Sequence, residues 1–255
     1  MSEQFVEQQT TGKIACFGKI RAKGDFVSRN LDYQTQEYLD GWLQQAISIS
    51  QGQIGEGWLR HYLTSPIWRF VISNKEIGKD IIGFMMPSID KVGRYYPLFM
   101  LETYDEGKLC GEDLSCKSFA ELEELAMSTL DGSDESSAFF ESLNQAAFPL
   151  YGEEAPVPRI LQNINCGEAG IRSEVLEYLW QESLDFTSFR HEQITNNDVT
   201  GIWWTEGSKT ISPTLIYCSG LPPIDGFSAL IDGDWERWGW QEKIMKEEEE
   251  SFAAE

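Results

Sequence analysis

The chain has 255 residues, 41% of them hydrophobic and 13% aromatic, and a formal charge of −22. That is enough apolar material for a sizeable core in one large domain or two small ones, and no stretch approaches the roughly 20 apolar residues of a membrane span. The charge is uneven, with 11 basic and 10 acidic groups in residues 1–101 against 9 and 32 in residues 102–255, so the second part repels nucleic acid and anionic membranes and is left with a basic protein surface or plain solubility as its use.

In chain order, residues 1–12 are polar and read as a flexible start, and MSEQFVEQQTTGK lacks the basic head and apolar segment of a secretory leader, so a cytoplasmic protein is expected. KIACFGKI (13–20) reads as a strand. TQEYLDGWLQQAISIS (35–50) places Tyr38, Leu39, Trp42, Leu43, Ala46 and Ile47 on one helical stripe, with Thr35 as the expected N-cap. EGWLRHYL (56–63) predicts a shorter helix. IWRFVIS (67–73) and DIIGFMM (80–86) predict a hairpin around NKEIGK, and YYPLFMLE (95–102) a third strand. Helical periodicity returns at 117–130, 135–148 and 172–184, with a Pro-containing connection at 153–160. GIWWTEG (201–207) and SPTLIYCSG (212–220) predict a second hairpin, and Trp203 and Trp204 fall on opposite faces of its first strand. This order predicts an α/β (α+β) class with a mixed, largely antiparallel central sheet flanked by helices. Residues 13–150 form a first core, 151–240 belong to the same domain or a small second lobe, and 241–255 make an acidic tail.

Common chemical signatures fail on spacing. QGQIGEGW (51–58) lacks the phosphate-loop order, GFSAL (226–230) lacks the closing Gly of a nucleophile elbow, and DGDWER (232–237) lacks the calcium-loop Gly and Glu. Five cysteines (Cys16, Cys110, Cys116, Cys166, Cys218) at irregular intervals do not make zinc-ligand pairs and read as free, mostly buried thiols. With only His61 and His191 present, a histidine-centred triad or metal hydrolase has little to stand on. Neither a metal nor a cofactor is expected.

Two mixed-charge clusters remain, each beside an apolar run. GKIRAKGDFVSR (18–29) carries Lys19, Lys23, Asp25 and Arg29, and MMPSIDKVGRYYPL (85–98) carries Asp90, Lys91 and Arg94. In one reading the two loops pair at one end of the sheet, Arg94 making bidentate contacts to Asp25 or Asp90, because buried charges are tolerated only when paired. In a second they are a surface for a partner. In a third, Asp25, Asp90 and Arg94 handle a small ligand or phosphate in a hydrolase, which calls for a concave pocket with perturbed carboxylates. Asp90 also suits capping of the following turn, and Gly93 a positive φ before Arg94.

The segments GKIRAKGDFVSR, DGWLQQAI (40–47), SPIWRFVIS (65–73) and MMPSIDKVGRYYPL together resemble the TagF family, also called ImpM. GIWWTEGS (201–208), SGLPP (219–223) and ALIDGDW (229–235) resemble its C-terminal end. The resemblance implies a sheet sandwiched by helices and a cytoplasmic accessory protein of the bacterial type VI secretion system. Such a protein is a post-translational regulator that holds assembly or firing in check through the forkhead-associated scaffold protein, and not an enzyme. Some relatives carry a phosphatase domain, and the stand-alone form is expected here. The motif positions are Lys19, Gly24, Asp25, Phe26, Arg29, Trp68, Arg69, Phe70, Pro87, Ser88, Asp90, Gly93, Arg94, Pro97, Leu221 and Pro222. Asp90 and Arg94 are expected to pair with the Asp25–Arg29 turn, so that Lys19, Lys23, Asp25, Arg29, Asp90, Lys91, Arg94 and Tyr95 form a rigid rim that a partner reads. The alternatives are the Asp25/Asp90/Arg94 hydrolase and a structural accessory of the secretion apparatus.

Overall fold

The computed structural model describes residues 13–106, 116–131, 136–146, 159–163 and 201–242. Residues 1–12, the connection over 153–158, the helix expected at 172–184, the tail beyond residue 242, Cys110, Cys166 and His191 lie outside the described residues.

Among the described residues nine strands form one sheet. They are β1 (Ala15–Gly18), β2 (Val27–Arg29), β3 (Trp68–Asn74), β4 (Lys79–Met86), β5 (Leu98–Asp105), β6 (Arg159–Asn163), β7 (Gly201–Thr205), β8 (Thr214–Cys218) and β9 (Trp240–Glu242). Their spatial order is β2-β1-β5-β4-β3-β7-β8-β6-β9. Only the β6–β8 pair is parallel, so the sheet is mixed and largely antiparallel, as the element order predicts. Five helices among the described residues flank it: α1 (Tyr33–Ile54), α2 (Trp58–Thr64), α3 (Cys116–Ser128), α4 (Ser136–Gln145) and the single turn α5 (Ala229–Asp232). None of the described helices is long and apolar enough to cross a membrane.

Both faces of the sheet are covered, which explains why its central strands read as continuous apolar runs rather than alternating ones. Ile82, Phe84 and Met86 of β4 pack with Phe119 and Leu122 of α3 and Phe139 and Leu143 of α4. Ile81 and Met85 point the other way, toward Leu39, Trp42 and Leu43 of α1 and Trp58 and Tyr62 of α2. Trp203 and Trp204 divide between these two cores as the strand period requires. Cys16 is buried in the first of these cores and Cys218 in the second.

Several element boundaries differ from those the sequence predicts. Helix α1 begins at Tyr33 and its N-cap is Asp32, not Thr35. The Asp32 carboxylate accepts from the Thr35 backbone N–H at 2.9 Å and from its hydroxyl at 2.8 Å, so Thr35 is the third helical residue. The helix then runs on through QGQI to Ile54, where Gly55 ends it. Strand β2 forms from part of the charged 18–29 segment, pairing Cys16 with Arg29 and Gly18 with Val27. Arg159–Asn163, at the end of the expected connection, is strand β6.

Among the described residues seven tryptophans are buried rather than presented to a partner, and four of these grip one segment. Their indole N–H groups donate to the backbone carbonyls of residues 220–230: Trp203 to Gly220 (3.1 Å), Trp42 to Pro222 (2.8 Å), Trp240 to Gly226 (2.9 Å) and Trp68 to Leu230 (3.0 Å). The strand registers place Gly220 beyond the Gly201–Cys218 end of the sheet and Trp68 at the opposite end. The segment therefore recrosses one face of the sheet. Ser228, in the failed nucleophile elbow, is buried there and bonds Gln53 of α1.

The same registers gather the two mixed-charge loops. Phe17 of β1 sits opposite Phe99 of β5, and Met86 of β4 opposite Leu98. The turn after Gly18 and the excursion between Met86 and Leu98 thus leave the sheet side by side. Gly18 has φ +138°, and a β-carbon there would stand 2.1 Å from the Pro97 carbonyl oxygen, so no side chain fits where the two loops separate.

Candidate functional site: a rim built on Asp90

The 87–97 excursion is organised by one carboxylate. Asp90 is 1% exposed. Its Oδ1 accepts from the backbone N–H groups of Val92 (3.0 Å) and Arg94 (2.8 Å). Its Oδ2 accepts from Lys19 Nζ (2.9 Å) and Arg94 Nε (2.6 Å). The Asp90 N–H in turn donates to the Arg94 carbonyl, and the Gly93 N–H to the Asp90 carbonyl. Gly93 adopts φ +85°, the left-handed conformation that closes the turn. Burial pushes the Asp90 carboxyl up, but the Arg94 N–H, the Lys19 ammonium, the Arg94 guanidinium and the Val92 N–H outweigh it and hold it well below the usual carboxylate range.

The other loop is sewn on through backbone atoms. Lys91 N–H donates to the Lys23 carbonyl at 2.9 Å, and Arg94 Nη2 donates to the Gly24 carbonyl. Lys19, only 5% exposed, also lies 5.1 Å over the Phe26 ring. Phe26 stacks on Phe17 and meets the edge of Tyr96. Tyr96 donates its hydroxyl proton to Asp40 of α1 at 2.6 Å, which together with its burial pushes the phenol far up.

The expected pairing with the Asp25–Arg29 turn is thus replaced by a different one. Asp25 is exposed and makes no ion pair with the described residues; Arg94 uses Asp90 instead, through Nε alone rather than in a bidentate fork. The reason is the position of Asp90 inside its own turn, where it collects backbone donors that Asp25 cannot reach. Arg29 stands apart as well, its guanidinium 4.8 Å over the Phe140 ring of α4. Lys23 and Lys91 are exposed beside Arg94, and Tyr95 packs against Trp58 and Tyr62.

The remaining motif positions lie in the body of the sheet. Buried Arg69 of β3 clamps α3, with Nε 2.6 Å and Nη2 3.0 Å from the Glu123 carboxylate. Its Nη1 also reaches Glu206 at 2.7 Å, so these acids hold it charged against burial. Phe70 packs on Trp203, and Trp68 meets the edge of Trp235. Leu221 and Pro222 belong to the segment gripped by tryptophans, and Pro97 crowds Gly18.

Three further residues at or behind the rim carry no signal in the sequence. Tyr62 of α2 both donates to the Ser88 carbonyl (2.8 Å) and accepts from the Ser88 N–H (3.0 Å), fixing the start of the excursion. Arg21 reaches the Leu130 carbonyl at 3.2 Å, beyond the end of α3. Val92, at the tip, is 70% exposed.

Comparison with known proteins follows the same segments. Residues 15–146 match the TagF N-terminal domain, described as type VI secretion system-associated. The crystal structure of PA0076 from Pseudomonas aeruginosa PAO1 is similar over 87% of this chain and 95% of that one, with 32% identity and a TM-score of 0.62. No curated protein matches the chain in sequence. With more than half of its length under the family match and a solved relative 32% identical over 87% of it, this chain belongs to the TagF family of type VI secretion system-associated proteins.

Proposed function

We propose that this chain is a cytoplasmic post-translational regulator that represses assembly or firing of the type VI secretion system by binding the forkhead-associated scaffold protein. The observation that carries this reading is the rim. Two motif segments are locked together by contacts between residues about 70 apart in the chain, and the lock leaves Lys23, Lys91 and much of Arg94 facing outward. A partner meets a surface already in its binding shape, which lowers the ordering cost of association.

The same geometry disfavours the hydrolase alternative. All four close donors to Asp90 stabilise its ionised form, so it is a poor general acid, and its occupied lone pairs make it a poor base. Asp25 and Asp90 also fail to converge on Arg94 as a pair. The structural-accessory alternative predicts a protein that stays bound in the assembled machine, whereas a repressor leaves it.

The test is capture of the purified scaffold protein by the full chain, with wild type and Arg94→Ala compared at low and moderate salt. Capture by wild type and loss with a folded Arg94→Ala variant support a regulator that binds through this rim. Failure of the wild type to bind the scaffold at any salt concentration overturns the reading.

A further inference from the structure

We infer that the rim is a docking surface for a short acidic segment of a partner protein, an inference that rests on the regulatory reading and specifies the chemistry the rim recognises. The first ground is charge. Residues 18–26 and 87–97 hold five basic side chains (Lys19, Arg21, Lys23, Lys91, Arg94) and two acidic ones (Asp25, Asp90), in a chain whose formal charge is −22. Lys19 is buried against Asp90, whereas Arg21, Lys23, Lys91 and Arg94 are exposed at the surface. The rim is a local island of positive charge.

The second ground is how these cations are held. The Lys91 N–H to Lys23 carbonyl bond and the Arg94 bond to the Gly24 carbonyl bring Lys23, Lys91 and Arg94 onto one patch. Arg94 is oriented by Asp90 while its side chain stays 58% exposed. Of its five N–H donors, Nε and one on Nη2 are engaged with described residues, so a carboxylate can approach the remaining edge without breaking the lock. Exposed Phe26 (49%) and Val92 (70%) flank the patch and offer apolar contact to whatever lies across it.

The third ground is range. At physiological ionic strength fields decay over about 8 Å, so a ligand feels the local positive excess only on reaching the rim. A larger acidic protein or a nucleic-acid duplex carries most of its charge beyond the reach of that excess. A short, extended acidic segment fits within the island and leaves its parent domain at a distance.

The experiment is fluorescence anisotropy with the full chain and a labelled glutamate-rich peptide of about ten residues, its glutamine counterpart and a single-stranded oligonucleotide of similar charge. The expected result is binding of the glutamate peptide only, weakening by about tenfold or more between roughly 50 and 300 mM salt. Lys23→Glu/Lys91→Glu, which leaves the Asp90 lock intact, should weaken binding by at least about tenfold with an unchanged melting temperature. Equal binding by this variant, equal binding of the glutamine peptide, or preference for the oligonucleotide overturns the inference. Changing Glu247, Glu248, Glu249 and Glu250 to Gln in the full chain checks a cis occupant. Unchanged affinity supports a partner's segment, and a gain of about tenfold or more assigns the rim to the chain's own acidic end and overturns it. Scaffold capture by Lys23→Glu/Lys91→Glu separates the two readings: capture retained while peptide binding is lost sinks this inference alone, and no capture by wild type sinks the regulatory reading.

Discussion

The two ends of the TagF motif set are held in opposite ways. At the rim, one carboxylate gathers four donors and two loops, and Lys23, Lys91 and Arg94 beside it remain exposed. Across one sheet face, four indoles hold the backbone of residues 220–230 from within the core. A charge lock fixes backbone while leaving its outer surface free for recognition. An indole donates a single hydrogen bond and buries a large apolar body, so it fixes backbone by enclosing it. Motif residues such as Leu221 and Pro222 therefore serve the fold, whereas Arg94 sits where recognition is possible.

The strongest way to break this contrast is to remove the lock. Asp90→Ala leaves the Lys19 ammonium buried without its counterion, and losing one member of a buried pair costs roughly 3–5 kcal/mol. Urea denaturation should show a loss of that size, and a loss below about 1 kcal/mol would mean the rim stands without its carboxylate. Acid tests the same group differently. Because its folded pKa lies below the ordinary value of 3.8, Asp90 contributes its stabilisation above that value, and the contribution is lost as pH falls through the range toward the folded value. The stability gap between wild type and Asp90→Asn should then be widest near about pH 7 and shrink by about pH 3. A constant gap would assign the effect to shape instead of charge.

The indole side of the contrast is weakened more gently. Trp42→Phe keeps an aromatic ring between Trp203 and Phe227 but strands the Pro222 carbonyl. An unsatisfied buried acceptor costs about 1–3 kcal/mol. Denaturation should show that loss while scaffold binding by the folded fraction is unchanged, since the rim lies in other loops. Reduced binding by a fully folded Trp42→Phe variant would mean that the two regions are coupled.

Local pattern made much of the fold legible. The stripe from Leu39 to Ile47 marks the buried face of α1, and the apolar runs at 67–73 and 80–86 mark β3 and β4. The three-residue strands β2 and β9 were not legible, because nothing in VSR or WQE favours a strand until β1 or β6 supplies the ladder. The candidate rim residues were legible as charges interrupting apolar runs. Which acid Arg94 would choose was not, since Asp25 and Asp90 differ only in how the folded chain surrounds them. The indole pegs had no signal either, as the Trp42 and Pro222 partners lie 180 residues apart.

Arg94→Ala sharpens the contrast by separating support from recognition at one position. The side chain is 58% exposed, and without it Asp90 keeps Lys19 and the two backbone donors. A partly exposed ion pair of this kind contributes little, below about 1 kcal/mol, so the melting temperature should barely move. Partner binding, by contrast, should fall, because the guanidinium edge is the most firmly oriented cation on the patch. A stability loss as large as that of Asp90→Ala would make Arg94 a beam of the lock and leave recognition to Lys23 and Lys91. Normal stability together with normal scaffold capture would remove Arg94 from the reading face altogether.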